Sequence, residues 1–160
     1  MPGHRDSEGD GGWRRTASQK IYSCPWFVLR RDEIVLPGGQ QIDYHVIERG
    51  PWAMVVPILD DGRVVMERVY RWPTRKWTLE CPSGALDGDT PEAGARRELE
   101  EETGYRAGDL THLGHFASSN GYSDERFDVF LAAGLTPDGR VNDGPTALSL
   151  LLAAERNPVP

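Results

Sequence analysis

From Thr90 to Gly104 the chain reads Thr-Pro-Glu-Ala-Gly-Ala-Arg-Arg-Glu-Leu-Glu-Glu-Glu-Thr-Gly, and this segment constrains the fold more than any other. Asp89 and Glu92 have capping-box spacing, with Asp in place of the usual Ser or Thr. Pro91 suits a first helical turn, where its missing amide is no loss, and Gly104 suits a left-handed terminator. The expectation is a helix over 90–103. Ala95, Leu99 and Thr103 form its packable face. Glu98, Glu101 and Glu102, three and four residues apart, project from neighbouring positions on another side. Like charges at these spacings destabilise an isolated helix by roughly 0.2–0.5 kcal/mol per pair. Arg97 can pair with Glu101, but one arginine does not neutralise three acids. Two readings follow: a solvated acidic face, or a set of hard oxygen ligands for Mg²⁺ or Mn²⁺.

Around this helix the signals are those of strands. Apolar and β-branched runs at 33–36 and 42–47 flank Pro-Gly-Gly, and runs at 54–59 and 63–70 flank Asp60-Asp61-Gly62. Further strands are expected over 77–80, 113–117 and 126–135, with a second helix over 145–156. No internal repeat is evident. Strands interrupted by one strong helix point to an α/β class of the α+β kind, or a layered α/β/α domain. Residues 1–20 are poor in apolar side chains and read as a flexible tail. The folded domain is expected over 21–160, as N-terminal strands over 21–50 and a core over 51–160.

The chain has 160 residues, enough for one domain with a substantial core. Its net charge of −7 argues against nonspecific binding to nucleic acid or an anionic membrane. An anionic substrate stays open if a metal ion supplies positive charge. Cys24 and Cys81 are too few and too far apart for a CxxC motif, so reduced thiols in a cytoplasmic protein are expected. The most apolar stretches, 53–59 and 147–154, fall far short of the ~20 residues that span a bilayer. The first residues lack the apolar core of a signal peptide.

Arg97-Glu98-Leu99-x-Glu101-Glu102-x-Gly104-Tyr105 resembles the second half of the Nudix box, G-x5-E-x7-R-E-U-x-E-E-x-G-U with U bulky and apolar. The first half departs: Asp89 stands for Glu, and four residues rather than five separate it from Gly84. Leu36-Pro-Gly-Gly, Ile42-Asp-Tyr-His, the run at 64–71, Trp77 through Gly84 and Ser118 through Glu125 resemble the ADP-ribose pyrophosphatase branch of Nudix hydrolases.

That resemblance implies a Nudix α/β/α sandwich with a mixed sheet, an N-terminal antiparallel sheet and a homodimer. It implies Mg²⁺- or Mn²⁺-dependent hydrolysis of the diphosphate of ADP-ribose or a related nucleoside diphosphate sugar. Glu98, Glu101, Glu102 and the backbone carbonyl of Ser83 match metal-ligand positions, with Glu80 a weaker candidate. Arg97 would orient the ligand carboxylates. Arg71 matches a phosphate-contacting arginine; a surface ion pair is the other reading. Trp26, Trp52 and Trp72 suit either purine stacking or packing. His45, His112 and His115 read as structural or exposed. The branch usually carries a glutamate base after the last core strand, where this chain has only Asp138 and Asp143. Glu125 is the substitute candidate. A nucleotide-binding or regulatory module with little turnover is the alternative function.

Overall fold

A computed structural model describes residues 11–137 and 150–152. The described chain falls into two compact units. One holds the residues up to Arg49 together with Ser118–Glu125; the other holds Gly50–Ala117 and the residues from Arg126 onward.

The first unit is an antiparallel sheet of β1 (Arg14–Ser23), β2 (Val28–Val35) and β3 (Gln41–Glu48), in that order. The Pro-Gly-Gly hairpin forms as expected: Val35 pairs with Gln41, and Gly39 takes the positive φ of 83° that closes the turn. The part of the expected tail from Arg14 to Lys20 belongs to strand β1. Its side chains are exposed, so apolar burial does not hold it. Backbone pairing to β2 does, with Ser18 donating to the buried Asp32 carboxylate at 2.6 Å. Segment Ser118–Glu125 is tied to the end of β3. The Ile47 amide donates to the Tyr122 carbonyl at 2.8 Å, and the Ser123 hydroxyl donates to the Ile47 carbonyl at 2.9 Å.

The second unit contains β4 (Trp52–Pro57), β5 (Val64–Arg71), β6 (Lys76–Glu80), β7 (Ser83–Ala85), α1 (Pro91–Thr103), β8 (Tyr105–Ala117), β9 (Arg126–Pro137) and β10 (Leu150–Leu152). One mixed sheet runs β7-β4-β9-β8, with β4 parallel to β9; a second runs β10-β5-β6. The Asp-Asp-Gly turn forms, with Gly62 at φ 85°, but β4 and β5 share only the bridge between Ile58 and Val64. Beyond that bridge the strands part into different sheets. The Leu150–Leu152 run is a strand paired to β5, not part of the expected helix over 145–156. A short apolar run suits either structure; here the open edge of β5 decides. The architecture is a mixed α+β fold, and α1 is the one helix among the described residues.

Helix α1 packs on β4, β7 and β8. Ala95 and Leu99 bury fully against Ala53, Val55, Leu86, Phe130 and Ala132, the expected packable face. The N-cap is Thr90, whose hydroxyl accepts from the Ala93 amide at 3.3 Å. The expected capping box from Asp89 is absent; Asp89 turns to Arg97 instead. Gly104 ends the helix at φ 70°, donating to the Glu100 carbonyl. His112 and His115 both contact the buried Asp128, at 2.7 and 3.1 Å, a structural role in keeping with the sequence reading. Among the described residues no helix is long and apolar enough to cross a membrane.

Candidate active site

The acids of α1 are sorted by Arg97. Its Nη1 donates to Glu98 Oε1 at 2.6 Å and to Glu101 Oε2 at 3.3 Å. Its Nε reaches Asp89 at 3.3 Å, and its Nη2 donates to the Ala85 carbonyl at 2.7 Å. One guanidinium thus gathers three carboxylates and ties them to the end of β7. Partial burial works against its charge, but hydrogen bonds to Asp89 and Glu98 and the charges of Glu98 and Glu101 outweigh it and raise its pKa.

Glu98 is buried, with 8% of its surface exposed. Its carboxylate lies against the backbone of Gly84, where any Cβ would overlap it. The motif glycine is therefore needed for space: it makes the cradle for this acid. Glu102 accepts a hydrogen bond from the Ser83 amide at 2.8 Å. Burial, together with the charges of Glu67 and Glu98, pushes its pKa up to about 7 against the pull of the Ser83 amide. Glu101 is exposed.

Glu67 is a member of this group that the sequence reading passed over. Burial and the charges of Glu80 and Glu98 raise its pKa, opposed by Glu102 and by Arg71. A signal was present in the alternation of β5, which sets Val65, Glu67 and Val69 on one face. An acid between two valines on such a face asks for an explanation. Cys81 lies close enough for the Glu67 charge to add to burial in raising its thiol pKa, so it is a poor nucleophile.

Arg71 and Glu80 meet across β5 and β6. Arg71 Nε donates to the two Glu80 oxygens at 2.8 and 3.1 Å, and its Nη2 is also bonded to Glu80. Thr78 donates to Glu80 at 2.6 Å. Trp52, on β4, is half-buried and stacks on Phe127 with centroids 4.3 Å apart, so one ring face is taken by the protein. Trp72 is exposed beside Arg75. Trp26 belongs to the other unit, 74% exposed in the β1–β2 turn. Glu125 also belongs to that unit. Arg49 holds its carboxylate at 2.9 Å, and the Ser118 hydroxyl donates to it as well. Asp138 and Asp143 lie outside the described residues.

The α1 group fits a divalent cation. Every side-chain donor is a hard oxygen, the acids outnumber the arginine serving them, and Glu67 and Glu102 hold protons unusually well without a metal. Among the described residues no three His, Cys, Asp or Glu side chains already form a metal cage. Arg97 holds Glu98 and Glu101, while the Ser83 amide holds Glu102, so a cation would draw these acids from protein partners.

Comparison with known proteins agrees with this geometry. Residues 48–149 match the NUDIX domain model, and residues 13–47 match the nucleoside diphosphate sugar hydrolase N-terminal domain. The chain belongs to the Nudix family. It is similar to an ADP-ribose pyrophosphatase of Bacillus subtilis (36% identity; 75% of this chain, 65% of the relative). It is also similar to a methanol dehydrogenase activator of Bacillus methanolicus (35% identity; 74% of this chain, 65% of the relative). The chain thus spans just under two thirds of the length of these relatives. A crystal structure of an ADP compounds hydrolase superposes with a TM-score of 0.73 at 25% identity, over 84% of this chain and 74% of the other.

Proposed function

We propose that this chain is a Nudix hydrolase that uses Mg²⁺ or Mn²⁺ to cleave the diphosphate of ADP-ribose or a related nucleoside diphosphate sugar. The products would be a nucleoside monophosphate and a sugar phosphate. The observation that carries this reading is the acid set of α1, gathered by Arg97 and seated on Gly84. The names of the pyrophosphatase and ADP compounds hydrolase relatives support the substrate class.

A divalent cation there would neutralise phosphate oxygens, acidify coordinated water and orient its attack. Glu98, Glu101, Glu102 and the Ser83 carbonyl would hold it, and Arg97 would fix the carboxylates in place. Arg71 already makes a fork-like pair with Glu80; a phosphate also presents two oxygens for a bidentate contact and would compete for it. Trp26 and Trp52 are the rings proposed to stack on a purine. Glu125 is the proposed base, and it would have to leave Arg49 to accept a proton.

In organisation we read N-terminal strands ahead of a Nudix core, in a cytoplasmic homodimer. The exposed Ile21, Tyr22 and Trp26 support a dimer through the N-terminal strands, joined by the apolar residues around Ile34 and Val46. The free cysteines Cys24 and Cys81 support a reducing compartment. Sedimentation as a monomer would count against the dimer.

The test is product analysis over a panel of nucleoside diphosphate compounds with Mg²⁺ or Mn²⁺. Metal-dependent release of a nucleoside monophosphate and a sugar phosphate is expected, abolished by chelator. Saturable nucleotide binding without products would establish the binding-module reading instead. The engagement of Glu125 by Arg49 and Ser118 is the observation favouring that second reading.

A further inference from the structure

Arg71 reaches Glu80 along the sheet rather than across it. On the β5–β6 ladder Arg71 stands opposite Lys76 and Glu80 opposite Glu67, with Val69 and Thr78 paired between them. Every second residue of a strand shares a face, so Arg71 and Glu80 lie two same-face steps apart. Each has a like charge directly opposite, an arrangement that destabilises paired strands. The Arg71 side chain runs back from the hairpin end, past the Val69–Thr78 pair, to meet Glu80. Without Glu80 it would stand opposite a lysine, with nothing on the ladder to draw it back.

Glu80 is the anchored partner. Thr78 donates to its Oε1 at 2.6 Å, and its side chain is 26% exposed against 51% for Arg71. A pair this exposed adds little to stability, but a bidentate pair fixes orientation. The contact occupies one edge of the guanidinium. Nε donates to the two Glu80 oxygens at 2.8 and 3.1 Å, and Nη2 is bonded to Glu80 as well. Nη1 has no hydrogen-bond partner among the described residues. A phosphate that takes Nη1 and competes for Nη2 leaves Nε on Glu80, so the guanidinium keeps its place. Strand β5 packs against α1, which carries the acids of the box.

We infer that Glu80 is a positioning residue for Arg71: it draws the guanidinium back from the hairpin end and holds one edge of it, leaving the other for a substrate phosphate. This rests on the reading of Arg71 as a phosphate contact in the proposed hydrolysis. It also takes Glu80 out of the metal-ligand set, because both of its oxygens are engaged by Arg71 and Thr78.

The experiment compares wild type, Arg71→Ala, Glu80→Gln and the double variant, in steady-state hydrolysis of ADP-ribose with Mg²⁺ and in Mn²⁺ binding followed by electron paramagnetic resonance. Misplacing a substrate-binding group should raise KM about tenfold or more, with a smaller fall in kcat. Arg71→Ala and Glu80→Gln are both expected to show this. The double variant should be no worse than Arg71→Ala, because residues that act as one unit are not additive. Mn²⁺ affinity should be the same in Glu80→Gln as in wild type. An unchanged KM in Glu80→Gln beside a raised KM in Arg71→Ala would show that Arg71 needs no help from Glu80. Losses that multiply in the double variant would give Glu80 a role of its own, and weakened Mn²⁺ binding would make it a metal ligand; either overturns the assignment. If Arg71→Ala leaves KM unchanged, the positioning role falls while the hydrolase reading stands. If wild type hydrolyses neither ADP-ribose nor any other nucleoside diphosphate sugar, both fall.

Discussion

Glu98, Glu101 and Glu102 have one chemistry and three environments. Glu98 is packed on Gly84, Glu101 faces solvent beside Arg97, and Glu102 sits on the Ser83 amide against Glu67. None of the three is needed to fill the apolar core. Glu101→Gln and Glu102→Gln are therefore expected to lower turnover by orders of magnitude without unfolding the protein, since amides are poor ligands for hard cations. Steady-state rates at limiting Mg²⁺ check this; near-wild-type activity in either variant would remove that residue from the metal site. Glu125 behaves differently, because Arg49 and Ser118 take its carboxylate. Glu125→Gln should lower the melting temperature, by the equivalent of about 1 kcal/mol given that Arg49 is partly exposed. A loss of about tenfold or more in kcat with unchanged melting would instead establish it as the base.

At the scale of elements, α1 is held by a narrow apolar stripe and strong ends. Leu99 is fully buried between the helix and the mixed sheet. Leu99→Ala should cost ~2–5 kcal/mol, the range for a large-to-small change at a closed core site. Urea denaturation gives the number, and a cost under about 1 kcal/mol would show that the site can collapse around the alanine. The same element shows how local signals compete. Asp89 and Thr90 are both good caps; Thr90 caps the helix while Asp89 is drawn to Arg97, a partner two turns along the helix. Strand β1 forms without apolar burial because β2 pairs with it from Arg14 to Ser23, across two bulges, and Asp32 anchors Ser18.

For the molecule as a whole, the acid cluster couples stability to pH. Glu102 is pushed up to about 7 in the fold, from an ordinary value of 4.5. Between those values the folded chain binds more protons than the unfolded chain, so stability must fall as pH rises. The contribution is fully present below about pH 4.5 and is lost as pH rises through about 7. Metal-free protein is thus expected to melt at lower temperature at pH 8 than at pH 6, as far as this cluster governs it. Saturating Mg²⁺ should raise the melting temperature most at pH 8, where the carboxylates are charged and ligand binding adds to stability by mass action. Differential scanning calorimetry with and without chelator measures both. A Mg²⁺ effect equal at the two pH values would mean that the cation does not bind these acids.

The helix, its apolar stripe, its glycine terminator and its acids were legible in the sequence because they are set by spacing within one short segment. So were the Pro-Gly-Gly hairpin and the family, whose motif is local. Glu67 was not, because its meaning depends on a strand and a helix more than thirty positions apart coming together. Nor were the separation of β4 from β5 after a sound turn signal or the pairing of Leu150–Leu152 with β5. The sequence offered Glu125 as a candidate base, but only the fold shows its carboxylate bound by Arg49. A turn residue dictates its own dihedral angles, whereas sheet partners and carboxylate neighbours are chosen by which edges and charges remain free once the chain has packed.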